Sequence, residues 1–214
     1  MERRFNKGGG SGRPPFKKRR DDRFSRQDRQ DRRPSRKIPE GFSLYYMAIV
    51  CPEPVNDRVR ELKSYMNATY GCEAASKSPA HLTIVPPFRA EDELEKSLKE
   101  FAEIFSMGIL PFEVKLDGIG QFGDRVLFIN ADGGDSLQNL EKECMAEFEE
   151  KFPSILFGMK PEFHPHVTIA TRDIPEGKID DARNYLEREF NETLPFEVRD
   201  IRVLKLEKGY WNIV

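Results

Sequence analysis

Cysteine is scarce in this 214-residue chain, and Cys51, Cys72 and Cys144 are odd in number with no close pair among them. That spacing excludes a disulfide scaffold and a cysteine-rich zinc site, and it points to a reducing interior. Histidine is equally scarce, with His81, His164 and His166. No apolar run approaches the roughly 20 residues a bilayer span requires, so no membrane association is expected. The basic N-terminus has no apolar stretch behind it and does not read as a secretory signal. Its Asp residues and Gly-rich opening also argue against a mitochondrial presequence. The chain reads as soluble and cytoplasmic.

Charge is present in quantity but segregated. Residues 1–37 hold 15 Lys/Arg against 5 Asp/Glu, whereas the remaining 177 hold 20 against 32. A formal net charge of −2 therefore conceals a basic tail on an acidic body. The tail has only Phe5, Phe16 and Phe24 as large apolar groups, too little buried area to offset the entropy of ordering. Residues 1–40 are expected to be a disordered basic tail, with one folded domain over 41–214. Such a tail would grip phosphate backbones without regard to sequence and in a salt-sensitive way. It could equally solubilise the protein, contact the acidic body, or bind another acidic protein.

The body alternates between strand and helix periods. Ser43–Cys51 reads as a strand, and Val55–Tyr70 as a helix with Val55, Val59, Leu62 and Met66 on one face. Ala80–Val85 reads as a short strand stopped by Pro86 and Pro87, followed by a helix over Glu91–Met107. Strands are expected over Phe112–Phe122 and Arg125–Ala131, a helix over Ser136–Phe152, a strand at His166–Ala170 and a helix over Lys178–Phe190. One long strand, Phe196–Leu206, and a short one from Tyr210 close the chain. The order repeats, about 43–122 and again about 126–206. His81 and His166 stand 85 residues apart, and Leu-Pro-Phe-Glu-Val recurs at 110–114 and 194–198, 84 residues apart. Two equivalent halves follow. The expected fold is α+β and bilobal, each lobe an antiparallel sheet with helices, related by a pseudo-twofold with a cleft between.

Each half carries one His-x-Thr strand, Ala80-His81-Leu82-Thr83-Ile84 and Pro165-His166-Val167-Thr168-Ile169. Residues i and i+2 share a strand face, so each strand buries an aliphatic pair and presents an imidazole beside a hydroxyl. Facing across a cleft, the two imidazoles can serve as general acid and base at phosphorus. Thr83 and Thr168 can donate to the non-bridging oxygens as charge builds there. One such tripeptide would be ordinary; two, in register and using two of three histidines, are not.

Together these motifs resemble the two-histidine (2H) phosphoesterase superfamily, in particular its bacterial 2′-5′ RNA ligase and 2′,3′-cyclic phosphodiesterase branch. The resemblance spans 43–214 and takes in His81 through Phe88, Gly118 to Phe128, and Pro165 to Arg172. It implies catalysis by His81 and His166 with no metal or other cofactor. The substrate would be RNA, a cyclic nucleotide or a 2′-5′-linked nucleotide. Hydrolysis of a 2′,3′-cyclic phosphate leads, with 2′-5′ RNA joining and a non-catalytic RNA-binding module as alternatives. Phe122 occupies the place of a family aromatic and either stacks on a base or ribose or packs as a core residue. Arg172 either clamps a phosphate or stands exposed at a strand end. Tyr45 and Tyr46 lie on opposite faces, one in the core and the other at the cleft, with Tyr45 taken as the substrate contact. His164 lacks the partners a metal site needs.

Overall fold

The structure is a computed structural model that describes residues 38–155, 157 and 162–214. The expected disorder of residues 1–37 lies outside the described residues. Period-two patterning gives β1 (Phe42–Val50), β2 (His81–Glu91), β3 (Phe112–Phe122), β4 (Val126–Asp132), β5 (His166–Thr171), β6 (Leu194–Val198), β7 (Arg202–Glu207) and β8 (Tyr210–Ile213). The helical faces give α1 (Glu53–Tyr70), α2 (Glu95–Met107), α3 (Gly134–Lys151) and α4 (Ile179–Glu189). At the end of α1, Gly71 adopts φ 71° and its N–H bonds the Asn67 carbonyl at 2.9 Å, a left-handed cap open to glycine at little cost.

The strands form two antiparallel four-stranded sheets, ordered β2-β1-β7-β8 and β5-β4-β3-β6. The fold is α+β with two sheets, as the patterning implied. The lobes, however, are not the two halves of the sequence. The turn at Gly123 makes β3 and β4 a hairpin, so the last strand of the first half joins the second sheet. The end of the chain returns to the first sheet, where β7 pairs with β1. The helices cross over as well. α1 packs against β5 and α4 against β3, while α2 packs against β7 and α3 against β2. Tyr65 and Tyr185 stack at 3.4 Å between α1 and α4, and Phe101 meets Phe148 at 5.7 Å between α2 and α3.

Two sequence expectations are corrected. Pro86 and Pro87 do not stop β2, which runs on to Glu91. β2 is an edge strand, and its register with β1 slips between Tyr45 and Met47, where the prolines need donate nothing. The expected long strand over 196–206 is two strands. At the break the Ile201 N–H donates to Ser106 Oγ at 3.0 Å, and the chain passes from one sheet to the other. The repeated pentapeptides, as the pseudo-twofold implied, meet about a common centre. They pair with each other, Phe112 opposite Val198, Glu113 opposite Glu197 and Val114 opposite Phe196.

One apolar core runs through the domain and takes alternate residues of β1 and β2, Tyr45, Met47 and Ile49 with Leu82 and Ile84, and of β4 and β5, Leu127 and Ile129 with Val167 and Ile169. Burial of these residues fixes what the opposite faces present. A second, small cluster on the other side of the first sheet holds Tyr46, Ala48 and Leu204, with Trp211 against it.

Candidate active site

The edge strands of the two sheets, β2 and β5, lie against one another. Each opens with its histidine, His81 opposite Val50 and His166 opposite Asn130. Alternation then places Thr83 opposite Ala48 and Thr168 opposite Phe128. All four are partly exposed, while Leu82, Ile84, Val167 and Ile169 are buried.

The two imidazoles are held in the same way. His81 Nδ1 lies 2.8 Å from the Pro79 carbonyl oxygen and His166 Nδ1 lies 2.6 Å from that of His164. A carbonyl can only accept, so each Nδ1 carries the proton and each neutral ring keeps its lone pair on Nε2. The bond partner stands two residues before the histidine in both strands. Ser78 Oγ also lies 3.0 Å from His81 Nδ1 and 2.9 Å from the Tyr46 hydroxyl. Lys63, buried on α1, donates to the Ser78 carbonyl at 2.9 Å and steadies the same segment.

Burial pushes the His81 imidazole down to about 4. The Pro79 carbonyl opposes that shift, while the charges of Lys63 and His166 add to it. His166 is lowered too, mainly by burial and also by His164, against the His164 carbonyl. Both rings are therefore neutral near pH 7. An anion between them would raise both.

Aromatic rings frame each histidine. Tyr46 lies 4.8 Å from His81 between ring centroids, with Trp211 edge-on behind it at 4.5 Å. Phe122 lies 5.1 Å from His166 and 5.3 Å from His164, and Phe128 lies 4.8 Å from His166. Phe128 crosses the backbone of Gly120, where a Cβ would enter its ring, so only glycine leaves room. A cavity of about 400 Å³ opens here, lined by Thr83, Pro86, Phe122, Phe163, His164 and His166.

The structure brings together His81, Thr83, His166 and Thr168 on the two edge strands, and Phe122 beside His166. It does not bring Tyr45, which is fully buried against Phe88 and hydrogen-bonded to Glu95 at 3.2 Å. Tyr46 is the tyrosine on the histidine face. Arg172 is also set apart. It follows the far end of β5, six residues and so about 20 Å of strand from His166, beyond one arginine's reach. Its φ of 69° and its N–H bond to the Arg125 carbonyl turn the chain there. Ser78, Lys63, Phe128 and Phe163 were missed. Of these, only Ser78 had a usable signal, its place three residues before His81. Among the described residues no group of three or more His, Cys, Asp or Glu could hold a metal ion.

Residues 51–209 match the 2′-5′ RNA ligase superfamily, and the chain belongs to that family of 2H phosphoesterases. It is 28% identical over 167 residues to the RNA 2′,3′-cyclic phosphodiesterase of Methanocaldococcus jannaschii, covering 75% of this chain and 89% of that protein. The fold is shared with the protein TT0787 of Thermus thermophilus (TM-score 0.57, 20% identity, 80% of this chain and 93% of that one). It is also shared with Escherichia coli LigT complexed with 3′-AMP (TM-score 0.52, 19% identity, 81% and 94%).

Proposed function

We propose that this protein hydrolyses 2′,3′-cyclic phosphate ends of RNA-type substrates by acid–base catalysis between His81 and His166, without a metal ion. The observation that carries this reading is the matched tethering of the two rings, each with Nδ1 bonded to the carbonyl two residues back. That arrangement offers two proton-accepting Nε2 atoms to one substrate. One imidazole removes the proton of water as its oxygen attacks phosphorus. The other, protonated once the phosphate anion has raised its pKa, gives its proton to O3′ as the P–O3′ bond breaks. The product is a 2′-phosphate. Thr83 and Thr168 donate to the non-bridging oxygens, and Phe122 stacks on the base or ribose. The name of the M. jannaschii relative supports this choice of substrate.

The family's own description favours a second reading, reversible joining of 2′-5′ RNA ends, in which a ribose hydroxyl takes the place of water. On either reading the basic tail adds a nonspecific grip on longer RNA.

A 2′,3′-cyclic nucleotide incubated with the protein in excess EDTA separates the cases. A 2′-phosphate product supports hydrolysis as proposed. A 3′-phosphate reverses the assignment of the leaving oxygen, and loss of turnover on chelation overturns metal independence. Tight RNA binding without turnover would make the protein a binding module.

A further inference from the structure

The histidine face of the first sheet continues past Tyr46 to Trp211, the only tryptophan of the chain. Beyond it lies a cavity of about 610 Å³ between α1, the 76–79 segment and β8, outside the catalytic cleft described above. Its walls carry Arg60, Lys63 and Lys77 and no carboxylate. That is unexpected in a body whose acids outnumber its bases by 32 to 20.

Lys63 is the one charged side chain buried among the described residues, with 5% of its surface exposed. Its ammonium donates to the Ser78 carbonyl and pairs with no described carboxylate. An ammonium has three donors, and burying it without a counter-ion is costly. Lys77 stands exposed on the opposite wall, and Arg60 is held by Asp57 at 2.5 Å and Glu53 at 3.5 Å. Tyr210 and Trp211 also line the cavity. Ser78 and Pro79 touch His81 on one side and line this cavity on the other, so the wall between it and the catalytic ring is one residue thick.

We propose that this cavity is a second nucleotide subsite, which takes the phosphate and base of the nucleotide preceding the cyclic phosphate in an RNA strand. The proposal rests on the reading of the cleft as acting on RNA 2′,3′-cyclic ends. A cyclic phosphate closes the strand on its 3′ side, so a neighbouring subsite is filled only from the 5′ side. Lys63 and Lys77, with Arg60 beside its own carboxylates, recognise the phosphodiester, and an aromatic ring stacks a base with little regard to its identity. The enzyme is then a processor of RNA ends in preference to mononucleotides.

Trp211 reports directly on occupancy. An RNA trinucleotide ending in a 2′-phosphate, the product and therefore stable, is titrated against tryptophan fluorescence. A mononucleotide 2′-phosphate and inorganic phosphate serve as comparison ligands. The trinucleotide is expected to quench Trp211 and to bind more tightly than either. The exposed double variant R60Q/K77Q should weaken trinucleotide binding on the order of tenfold. It should also reduce the log–log salt slope by about 0.7 for each phosphate released. Trinucleotide affinity equal to that of the mononucleotide, or unchanged in R60Q/K77Q, overturns the subsite. Turnover of a cyclic mononucleotide with no quenching by the trinucleotide overturns the subsite alone. Quenching by the trinucleotide in a protein that turns nothing over supports the subsite and sinks the catalytic reading.

Discussion

Replacing His81 by Gln should make the protein less sensitive to acid. In the unfolded chain this histidine takes up its proton near 6.5, whereas in the fold burial delays uptake to about 4. Between those values the unfolded state binds more protons, so stability falls as pH falls through that window. Above 6.5 nothing is lost, and below about 4 the loss is complete. The shift corresponds to roughly 3 kcal/mol, most of it spent between pH 7.5 and 4.5. His166 shifts in the same direction and carboxylates titrate below it, but those groups are present in both proteins. The assay is urea unfolding of wild type and H81Q at pH 7.5 and 4.5, comparing the two pH-induced losses and not the absolute stabilities. Wild type should lose about 2–3 kcal/mol more than H81Q. Equal losses would refute the claim that His81 is kept neutral by its surroundings.

Four further outcomes are expected. Alanine at His81 or His166 should lower turnover of a cyclic nucleotide by roughly 10²–10⁴, and the double variant by less than the product of the two. The free-enzyme pH profile, kcat/KM, should peak on the acid side of 6.5 because both imidazoles are lowered, with the kcat profile shifted upward by bound phosphate. Gly120→Ala should displace the Phe128 ring, costing about 1–3 kcal/mol in urea unfolding and reducing activity through His166; an unchanged variant would mean the ring packing there is loose. Deleting residues 1–37 should spare small cyclic nucleotides but weaken long RNA and flatten its salt dependence, measured by titration near physiological ionic strength.

The elements and the histidine pair were legible because local chemistry sets them. Alternation around His81 and His166 dictates which residues enter the core, and the helical stripe of Val55, Val59, Leu62 and Met66 can only be buried on one face. Strand partners were not legible. Which sheet receives β3 depends on the hairpin at Gly123, and the split of 196–206 depends on a bond from Ile201 to Ser106, 95 residues earlier. Identity of the two pentapeptides was a true sign of symmetry, since they pair about Glu113 and Glu197 as a twofold requires, but it did not say that both copies join the same sheet. Arg172 was misplaced for a related reason. Chain distance from a motif says little once a strand carries the residue in a straight line away from it. Lys63 belongs to a helix that meets the His81 segment only in three dimensions, and Ser78, three residues before His81, reaches its ring through a turn that strand alternation does not specify.

The matched carbonyl tethers have a consequence for the direction of the chemistry. Both rings present the same tautomer, so neither is built as donor or acceptor. In the reaction proposed above, a pair tethered alike cannot by its tautomers choose between O2′ and O3′, nor between water and a ribose hydroxyl. That choice falls to the flanks, which are unlike: Phe122 and Phe163 beside His166, and Lys63, Ser78 and Trp211 beyond His81. On that proposal, regiochemistry is a property of how the ribose is seated. It should be redirected by remodelling either flank, while exchange of the histidine roles would need no change in sequence at all.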